Sequence, residues 1–275
     1  MIQVFGGKGF AGSHFSELFS KDTLIINERG DYSVSDKADQ IIYFISTISN
    51  YNVLVDPYLD IETNLITLIK VLEQVKGKNI TFNFISSWFV YGKTSMPAKE
   101  ESVCNPKGFY SITKRSAEQL LISYCETFEI NYRIFRMANL IGSYDPKASP
   151  KKNALQFMIN ELKKGKDISI YDGGELFRDY IHVKDGMNAV KLVMNSGDLN
   201  DIFNISNGIP IKLKDILELA CSFIPNHGKL ISIDTPKFHK NVQVKSMWMD
   251  NSKIKSIGYI QKYSLKEMIK EMVSL

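Results

Sequence analysis

The segment Ile2-Gln-Val-Phe-Gly-Gly-Lys-Gly-Phe-Ala-Gly12 joins a mainly apolar run directly to a cluster of glycines. The run predicts a short buried strand, and the apolar spacing from Phe10 to Phe19 predicts a helix that follows at once. Glycines permit a tight turn between strand and helix, and they let backbone amides approach a phosphate at the helix N-terminus. The segment therefore predicts a strand–turn–helix unit with an anion site at three glycines: Gly6, Gly9 and Gly12.

The rest of the first half repeats this alternation of short apolar runs with helical patterns, which is typical of parallel βαβ units. The segment 29–39 leaves little room for the additional strand and helix that doubly wound folds often place there. We therefore predict an α/β fold with a doubly wound parallel sheet. The predicted strands are 2–5, 24–26, 41–45, 80–86 and 132–140, and the predicted helices include 10–19, 61–75 and 110–128.

Composition excludes several classes of protein. The formal net charge of +4 is a small difference between 34 basic and 30 acidic residues, with no basic stripe, so we expect no nucleic-acid partner. The longest strongly apolar run, 41–48, is far below the roughly 18 residues of a membrane span. The 3 cysteines are far apart and fit neither a disulfide framework nor a metal site. The N-terminus carries no signal-peptide pattern, so we expect a cytoplasmic protein. From the apolar runs and the cysteine spacing, we expect it to bind no membrane and no metal.

Two Tyr-x-x-x-Lys pairs occur, and about one is expected by chance. Tyr110 and Lys114 stand at the start of a predicted helix, where they share one face, and a nearby ammonium group lowers the pKa of a phenol. Tyr180 and Lys184 lie in a segment that alternates like a strand, so we exclude this pair as catalytic. Ser87 follows a predicted strand, at the sheet edge where α/β proteins place their sites. Ser87, Tyr110 and Lys114 thus form a candidate group for proton transfer at a substrate oxygen.

Five motifs occur in order between residue 2 and about residue 208: Gly6-x-x-Gly9-x-x-Gly12, Ser87 three residues before Val90-Tyr91-Gly92, Tyr110-x-x-x-Lys114, Arg136-x-x-Asn139-x-x-Gly142 and Arg178-Asp-Tyr-Ile-His-Val-x-Asp185. Together they resemble the extended short-chain dehydrogenase/reductase family. The resemblance is closer to its nucleotide-sugar epimerases, dehydratases and ketoreductases.

The resemblance implies a Rossmann-type doubly wound parallel sheet with a smaller C-terminal α/β substrate-binding domain. The loop 145–150 contains two prolines and is the best candidate for a domain boundary. We predict a dinucleotide-binding domain at 1–146, to which the chain returns at about 178–208. The domain at 147–275 is then mostly the one that binds a sugar nucleotide.

Individual roles also follow from the resemblance. It implies that Ser87, Tyr110 and Lys114 are catalytic, while Arg136 is left open to simple pairing with a carboxylate. The residues implied to bind the dinucleotide are Gly6, Gly9, Phe10, Gly12, Ser46 and Lys114. The residues implied to bind a nucleotide diphosphate sugar are Trp88, Asn139 near the phosphates, Tyr171 near the base and Arg178 on the diphosphate.

Position 27 departs from the pattern of NAD enzymes, in which an acid at the end of the second strand binds the adenosine ribose. Asn27 stands there and, being uncharged, does not repel a 2′-phosphate. Arg29 and Lys8 are close enough in sequence to bind such a phosphate. We therefore expect NADPH rather than NADH as the cofactor. Two alternatives stay open: Arg29 and Lys8 are ordinary surface cations, or Glu28 turns inward and restores NAD.

Trp88 and Phe89 form a second departure, because the family's dehydratases carry an Asp-Glu pair there and aromatic rings exchange no protons. The leading hypothesis is NADPH-dependent reduction of a nucleotide-linked 4-keto-6-deoxyhexose in bacterial-type surface-sugar biosynthesis. An NAD-dependent nucleotide-sugar 4-epimerase and a non-catalytic dinucleotide-binding sensor are the alternatives. The resemblance also implies a homodimer built on the helices near 61–76 and 110–128.

Overall fold

The structure is a computed structural model, and it describes residues 1–22, 24–142, 145, 148–150, 152–242 and 244–275. The predicted domain boundary between residues 146 and 147 lies outside the described residues, so the division into two domains stays a prediction.

The strands, in chain order, are β1 (Ile2–Phe5), β2 (Leu24–Ile26), β3 (Gln40–Tyr43), β4 (Thr81–Ser87), β5 (Tyr132–Met137), β6 (Asn139–Ile141), β7 (Ile168–Tyr171), β8 (Phe177–Arg178), β9 (Tyr180–His182), β10 (Asp201–Ile205), β11 (Ile211–Lys212) and β12 (Leu230–Ile233). The helices are α1 (Phe10–Leu18), α2 (Tyr58–Ile61), α3 (Thr67–Val75), α4 (Phe109–Thr127), α5 (Ala154–Lys163), α6 (Val183–Ser196), α7 (Leu213–Cys221), α8 (Lys237–Val242), α9 (Ser252–Ser256) and α10 (Leu265–Ser274). Within the described part of the chain, none of the helices combines the length and the apolar character needed to cross a bilayer.

Six strands pair in parallel to form a central sheet with the order β10-β5-β4-β3-β1-β2. Helices cover both faces: α1 and α6 pack on one through Phe15 and Val190, and α3 and α4 pack on the other through Leu72 and Leu121. The predicted doubly wound α/β fold is therefore confirmed. The direction of winding reverses between β1 and β3, so a crevice opens beyond the carboxyl ends of these strands.

A smaller core lies beyond this crevice. The parallel pair β7–β12 and the helices α5, α7 and α10 bury a separate apolar cluster, which includes Ile159, Leu217 and Ile269. The chain then returns to the first layer, because α6 covers the central sheet and β10 extends it beside β5. The crevice is therefore bounded by the central sheet on one side and by this smaller core on the other.

The crossover from β2 to β3 contains no helix and no strand, as the short segment predicted. This segment has no packed secondary structure to anchor it to the sheet. The buried side chain of Gln3, in β1, anchors it instead. Its Nε2 donates to Asn27 Oδ1 (2.6 Å) and to the Ser33 carbonyl (2.8 Å), and its Oε1 accepts from the Ser35 amide (2.9 Å). One side chain thus satisfies polar groups at the start and in the middle of the crossover.

The strand predicted at 132–140 is divided in two. The Ala138 amide still bonds to the Ile205 carbonyl of the central sheet, but the next amide, of Asn139, bonds to the Asp179 carbonyl (3.2 Å). The chain therefore leaves the sheet at Asn139 and pairs as β6 with β9. An apolar run carries no signal for such a change of partner, and the change brings Asn139 to the crevice.

We predict that Gln3→Ala lowers the free energy of unfolding by about 2–4 kcal/mol, because buried polar groups lose their partners. Urea unfolding of the cofactor-free protein measures the loss. Gln74→Ala, an exposed glutamine on α3, is the control and leaves stability nearly unchanged. A Gln3→Ala protein as stable as the Gln74→Ala protein would show that the crossover keeps its conformation without the hydrogen bonds of Gln3.

Candidate active site

The glycine turn between β1 and α1 is shaped to receive an anion. Gly6 has a φ of +78°, and a Cβ at Gly12 would lie 2.4 Å from the Gly6 carbonyl oxygen, so both positions require glycine. Gly9 is the N-cap of α1 but offers no side chain, and the first turn holds no acidic residue. The free amides at this helix N-terminus are therefore open to a phosphate.

The crevice contains two adjoining cavities. The first, which we call the glycine-turn cavity, has a volume of about 470 Å³ and is bounded by the glycine turn and by the start of α4. The second, the Arg178 cavity, has a volume of about 540 Å³ and extends toward the smaller core. Five residues line both cavities and form their common wall: Trp88, Phe89, Asn139, Leu140 and Asn153.

The three predicted catalytic residues meet at the glycine-turn cavity. Tyr110 and Lys114 lie one helical turn apart on α4, and Ser87 ends β4 beside them. Burial raises the pKa of Tyr110 to about 12, and hydrogen bonds with Ser87 and Ser46 oppose that rise. The expected lowering of the phenol pKa by Lys114 is therefore wrong, because burial dominates.

Lys114 is itself buried, and its Nζ donates to the Ile85 carbonyl (2.8 Å) above the ring of Phe84. Burial lowers the pKa of Lys114 to about 7, while the charge of Glu118 acts in the opposite direction. The lysine is thus held at a fixed point beneath the cavity. From there it can orient a bound group by donating hydrogen bonds.

Glu118 is a residue that the sequence reasoning missed. Its carboxylate is completely buried and accepts from Ser86 Oγ (2.6 Å), from Arg136 Nε and Nη2 (3.1 and 2.9 Å) and from Arg115 Nη1 (2.8 Å). Arg136 therefore pairs with a carboxylate, the alternative that the sequence left open. The position of Glu118, four residues after Lys114 on a helix, was the available signal.

Asn64, at a π-helical turn between α2 and α3, fixes the other side of the site. Its amide donates to Thr47 Oγ1 (2.8 Å) and to Thr113 Oγ1 (3.0 Å), and it accepts from the Ser46 hydroxyl (3.1 Å). These contacts tie the loop after β3 to the second turn of α4. Ser46 is thereby held at the glycine-turn cavity, as expected for its predicted role.

The common wall is aromatic. Trp88 and Phe89 stack with ring centroids 3.9 Å apart, and Phe89 meets Tyr110 edge-on at 5.8 Å. Ser87 caps the short 3₁₀ turn that carries them, because its Oγ accepts from the Phe89 amide (3.3 Å). The two positions that follow Ser87 thus contribute no acid or base to the site.

The four residues predicted to bind substrate all line the Arg178 cavity: Trp88, Asn139, Tyr171 and Arg178. The guanidinium group of Arg178 donates to three carbonyls, of Phe177 (2.8 Å), Lys245 (2.6 Å) and Val244 (2.9 Å), and lies 5.5 Å from the Trp88 ring. No aspartate or glutamate is among the described residues that line this cavity. Arg178 therefore places a fixed positive charge at a cavity whose described lining residues include no carboxylate.

The predicted dinucleotide residues fall into two groups. Gly6, Gly9, Phe10, Gly12, Ser46 and Lys114 line the glycine-turn cavity. The other three do not line it. Lys8 pairs with Glu28 (2.7 Å), Arg29 is exposed, and the Asn27 amide is bonded to Gln3 and to the Asp31 and Ser33 carbonyls.

The chain is similar to several known proteins. It is 26% identical over 305 aligned residues to a putative UDP-glucose 4-epimerase of Methanocaldococcus jannaschii, with 100% of this chain and 97% of the relative covered. It is also 26% identical to a GDP-6-deoxy-D-mannose reductase of Pseudomonas aeruginosa, with 60% of this chain and 56% of that protein covered. The structure of RMD from Pseudomonas aeruginosa in complex with NADPH matches with a TM-score of 0.81 and 19% identity, and covers 99% of this chain and 98% of that one.

The family comparison spans most of the chain. A model described as the NAD dependent epimerase/dehydratase family matches residues 2–206, which include the glycine turn, the Ser87–Tyr110–Lys114 group and Arg178. The members of this family act on nucleotide sugars and use NAD(P). The chain therefore belongs to the NAD-dependent epimerase/dehydratase family.

Proposed function

We propose that the chain catalyses NADPH-dependent reduction of the keto group of a nucleotide-linked 4-keto-6-deoxyhexose, in surface-sugar biosynthesis. The observation that carries the proposal is the aromatic wall directly after Ser87. Trp88 and Phe89 leave Tyr110 and Lys114 as the proton-exchanging groups next to that serine. Such a site suits addition of hydride and one proton to a carbonyl, and it is unsuited to elimination of water.

The glycine turn fits the dinucleotide, because both of its constrained positions are glycine and its helix amides are open. A dinucleotide held there would supply the hydride for the carbonyl carbon. Tyr110 would donate its proton to the carbonyl oxygen as negative charge develops on it, and Ser87 would donate a hydrogen bond to the same oxygen. Lys114 would help to hold and orient the dinucleotide.

The protonation state of Tyr110 fits the role of a general acid. With a pKa raised by burial, the phenol carries its proton at neutral pH and can donate it to a developing alkoxide.

The Arg178 cavity supports a 6-deoxy sugar. Its walls beside Trp88 are mostly apolar, and a methyl group is better accommodated there than a hydroxymethyl group. The similarity to a GDP-6-deoxy-D-mannose reductase agrees with this choice. The apolar residues that line this cavity include Leu140, Ile141, Leu155, Phe157 and Met158.

A second candidate is an NAD-dependent nucleotide-sugar 4-epimerase. The relative from Methanocaldococcus jannaschii, aligned over the whole chain, carries that description as a putative one. Glu28 also places a carboxylate one residue beyond Asn27, although it pairs with Lys8. A non-catalytic sensor is less well supported, because Ser87, Tyr110 and Lys114 all meet at one cavity.

We further propose a homodimer that packs the helical segments near 61–76 and 110–128 against their copies. Apolar side chains on these helices are exposed although their neighbours are buried. The side chains concerned are Ile66 (45% exposed), Ile69 (36%), Ile112 (49%) and Leu120 (40%).

We expect NADPH to be oxidised in the presence of a 4-keto-6-deoxyhexose linked to dTDP, GDP, CDP or UDP. Arg29→Ala should raise the KM for NADPH about 5- to 150-fold with little change in kcat, because a charged contact to the 2′-phosphate is lost. The assay follows absorbance at 340 nm with NADPH and NADH in parallel. Lys37→Ala, another exposed cation of the same crossover, is the control.

Two results would contradict the cofactor proposal and favour the epimerase. One is purified protein that retains NAD, and the other is interconversion of UDP-glucose and UDP-galactose without added cofactor. Equal rates with NADH and NADPH would contradict the preference for NADPH and the role of Arg29, and would weaken the case against the epimerase.

We expect Tyr110→Phe to bind the cofactor normally while its kcat falls by about 10²–10⁴-fold, because the general acid is lost. For the unmodified enzyme, kcat should fall as the pH approaches the raised pKa of Tyr110, because the phenol then loses the proton that it donates. Steady-state kinetics and cofactor titration measure both effects. Tyr180→Phe is the comparison, and loss of kcat in that variant alone would show that the excluded pair is catalytic.

Sedimentation velocity at micromolar concentration should give a dimer. Ile112→Glu should weaken dimerisation by about tenfold or more, because a charge would be buried at the interface. Ile260→Glu changes an equally apolar residue that is 77% exposed outside these helices, and should leave the dimer intact. A monomer in the unmodified protein would reject the proposed interface.

A further inference from the structure

Three polar aromatic side chains meet at the rim of the Arg178 cavity: Tyr51, Tyr171 and His239. His239, in α8, and Tyr171, at the end of β7, both line the cavity, with ring centroids 4.7 Å apart. Tyr51 reaches them from the opposite side of the crevice. It lies in a 3₁₀ turn at 50–54, after the β3 loop that carries Ser46.

Tyr51 and His239 are joined by a hydrogen bond, with 2.6 Å between the phenol oxygen and Nδ1. The ring of Tyr51 also packs on the neighbouring Phe238 at 5.1 Å. Burial and the charge of Arg178 lower the pKa of His239, so its ring is neutral at pH 7 and carries one N–H. If Tyr51 donates to Nδ1, that proton is on Nε2, which is then a donor.

Tyr51 is held on a fixed support. Its neighbour Asn50 is buried, and the Asn50 amide group accepts from the Ser111 amide nitrogen (3.2 Å) and donates to the Ser111 hydroxyl (3.1 Å). Ser111 directly follows Tyr110 on α4. The 3₁₀ turn is therefore fastened to the catalytic helix, and Tyr51 extends from it to the far side of the crevice.

The charges around His239 favour an anion in front of it. Arg178 faces it from β8, and the exposed Asp172 acts in the opposite direction from the turn after β7. The guanidinium group is fixed by three carbonyls, and no described lining residue of the cavity is acidic. A cation and a neutral donor thus line the same cavity, which suits the two phosphates of a diphosphate.

We propose that His239 is a substrate-binding residue that donates from Nε2 to the diphosphate beside Arg178, and that Tyr51 is the positioning residue that fixes its tautomer. The inference rests on the proposed nucleotide-sugar substrate, but it is independent of the choice between reduction and epimerisation. It assigns the contacts with the diphosphate to Arg178 and His239, and the positioning of His239 to Tyr51 on the opposite side of the crevice.

The test is calorimetric titration of the full chain with UDP, dTDP, GDP and CDP, and with the corresponding nucleosides. For the diphosphate that binds best, His239→Ala should weaken affinity about tenfold, and Tyr51→Phe about threefold. The double variant should bind no more weakly than His239→Ala, because Tyr51 acts through the histidine. Nucleoside binding should be unchanged, and His239→Gln, which keeps an N–H donor, should recover part of the loss.

Tyr58→Phe removes an exposed phenol near the same turn and is the control. Thermal unfolding of every variant identifies any that is not folded, and Tyr51→Phe and His239→Gln are the conservative pair if His239→Ala is one of these. Equal losses for nucleoside and diphosphate would overturn the proposal and make His239 a stacking surface for the base. Unchanged affinity in all variants, or additive losses in the double variant, would also overturn it.

The outcomes separate this inference from the proposed function. An unmodified protein that binds no nucleoside diphosphate would overturn both. Normal diphosphate binding with the predicted losses, but no reduction of any keto sugar, would leave the role of His239 in place and reject the reductase.

Discussion

The buried carboxylate of Glu118 joins the three elements on which the site is built. It accepts from Arg115 on its own helix, from Ser86 on β4 and from Arg136 on β5. Removal of one partner from a buried ion pair leaves an uncompensated charge, which is far more costly than loss of an apolar contact. The register of α4 against the sheet is therefore fixed, and with it the positions of Tyr110 and Lys114.

The N-terminal end of α4 is fastened by neutral amides in the same way. Asn50 binds Ser111 and Asn64 binds Thr113, so two consecutive turns of the helix are held by polar contacts on different sides. Apolar packing alone tolerates small displacements, whereas hydrogen bonds are lost when donor and acceptor separate by a fraction of an ångström. This arrangement suits the proposed role of the helix, which is to present the Tyr110 phenol and the Lys114 side chain at fixed points.

The sequence was sufficient for features that depend on neighbouring residues. The glycine turn, the shared face of Tyr110 and Lys114, and the position of Ser87 at a strand end all follow from spacings of a few residues. Features that depend on distant partners could not be predicted. Asn27 bonds to Gln3 at a separation of 24 residues, so its amide serves the crossover, and nothing in the local pattern indicated that bond.

The short crossover between β2 and β3 also separates two tasks in space. The residues expected to discriminate between cofactors, Asn27, Glu28 and Arg29, lie on a segment that is held chiefly through Gln3 and shares no hydrogen bond with Ser87, Tyr110 or Lys114 among the described residues. On the proposed assignment, substitutions there alter the recognition of the adenosine end while Ser87, Tyr110 and Lys114 keep their geometry. Under natural selection, such a chain can exchange one dinucleotide for the other without rebuilding its chemistry.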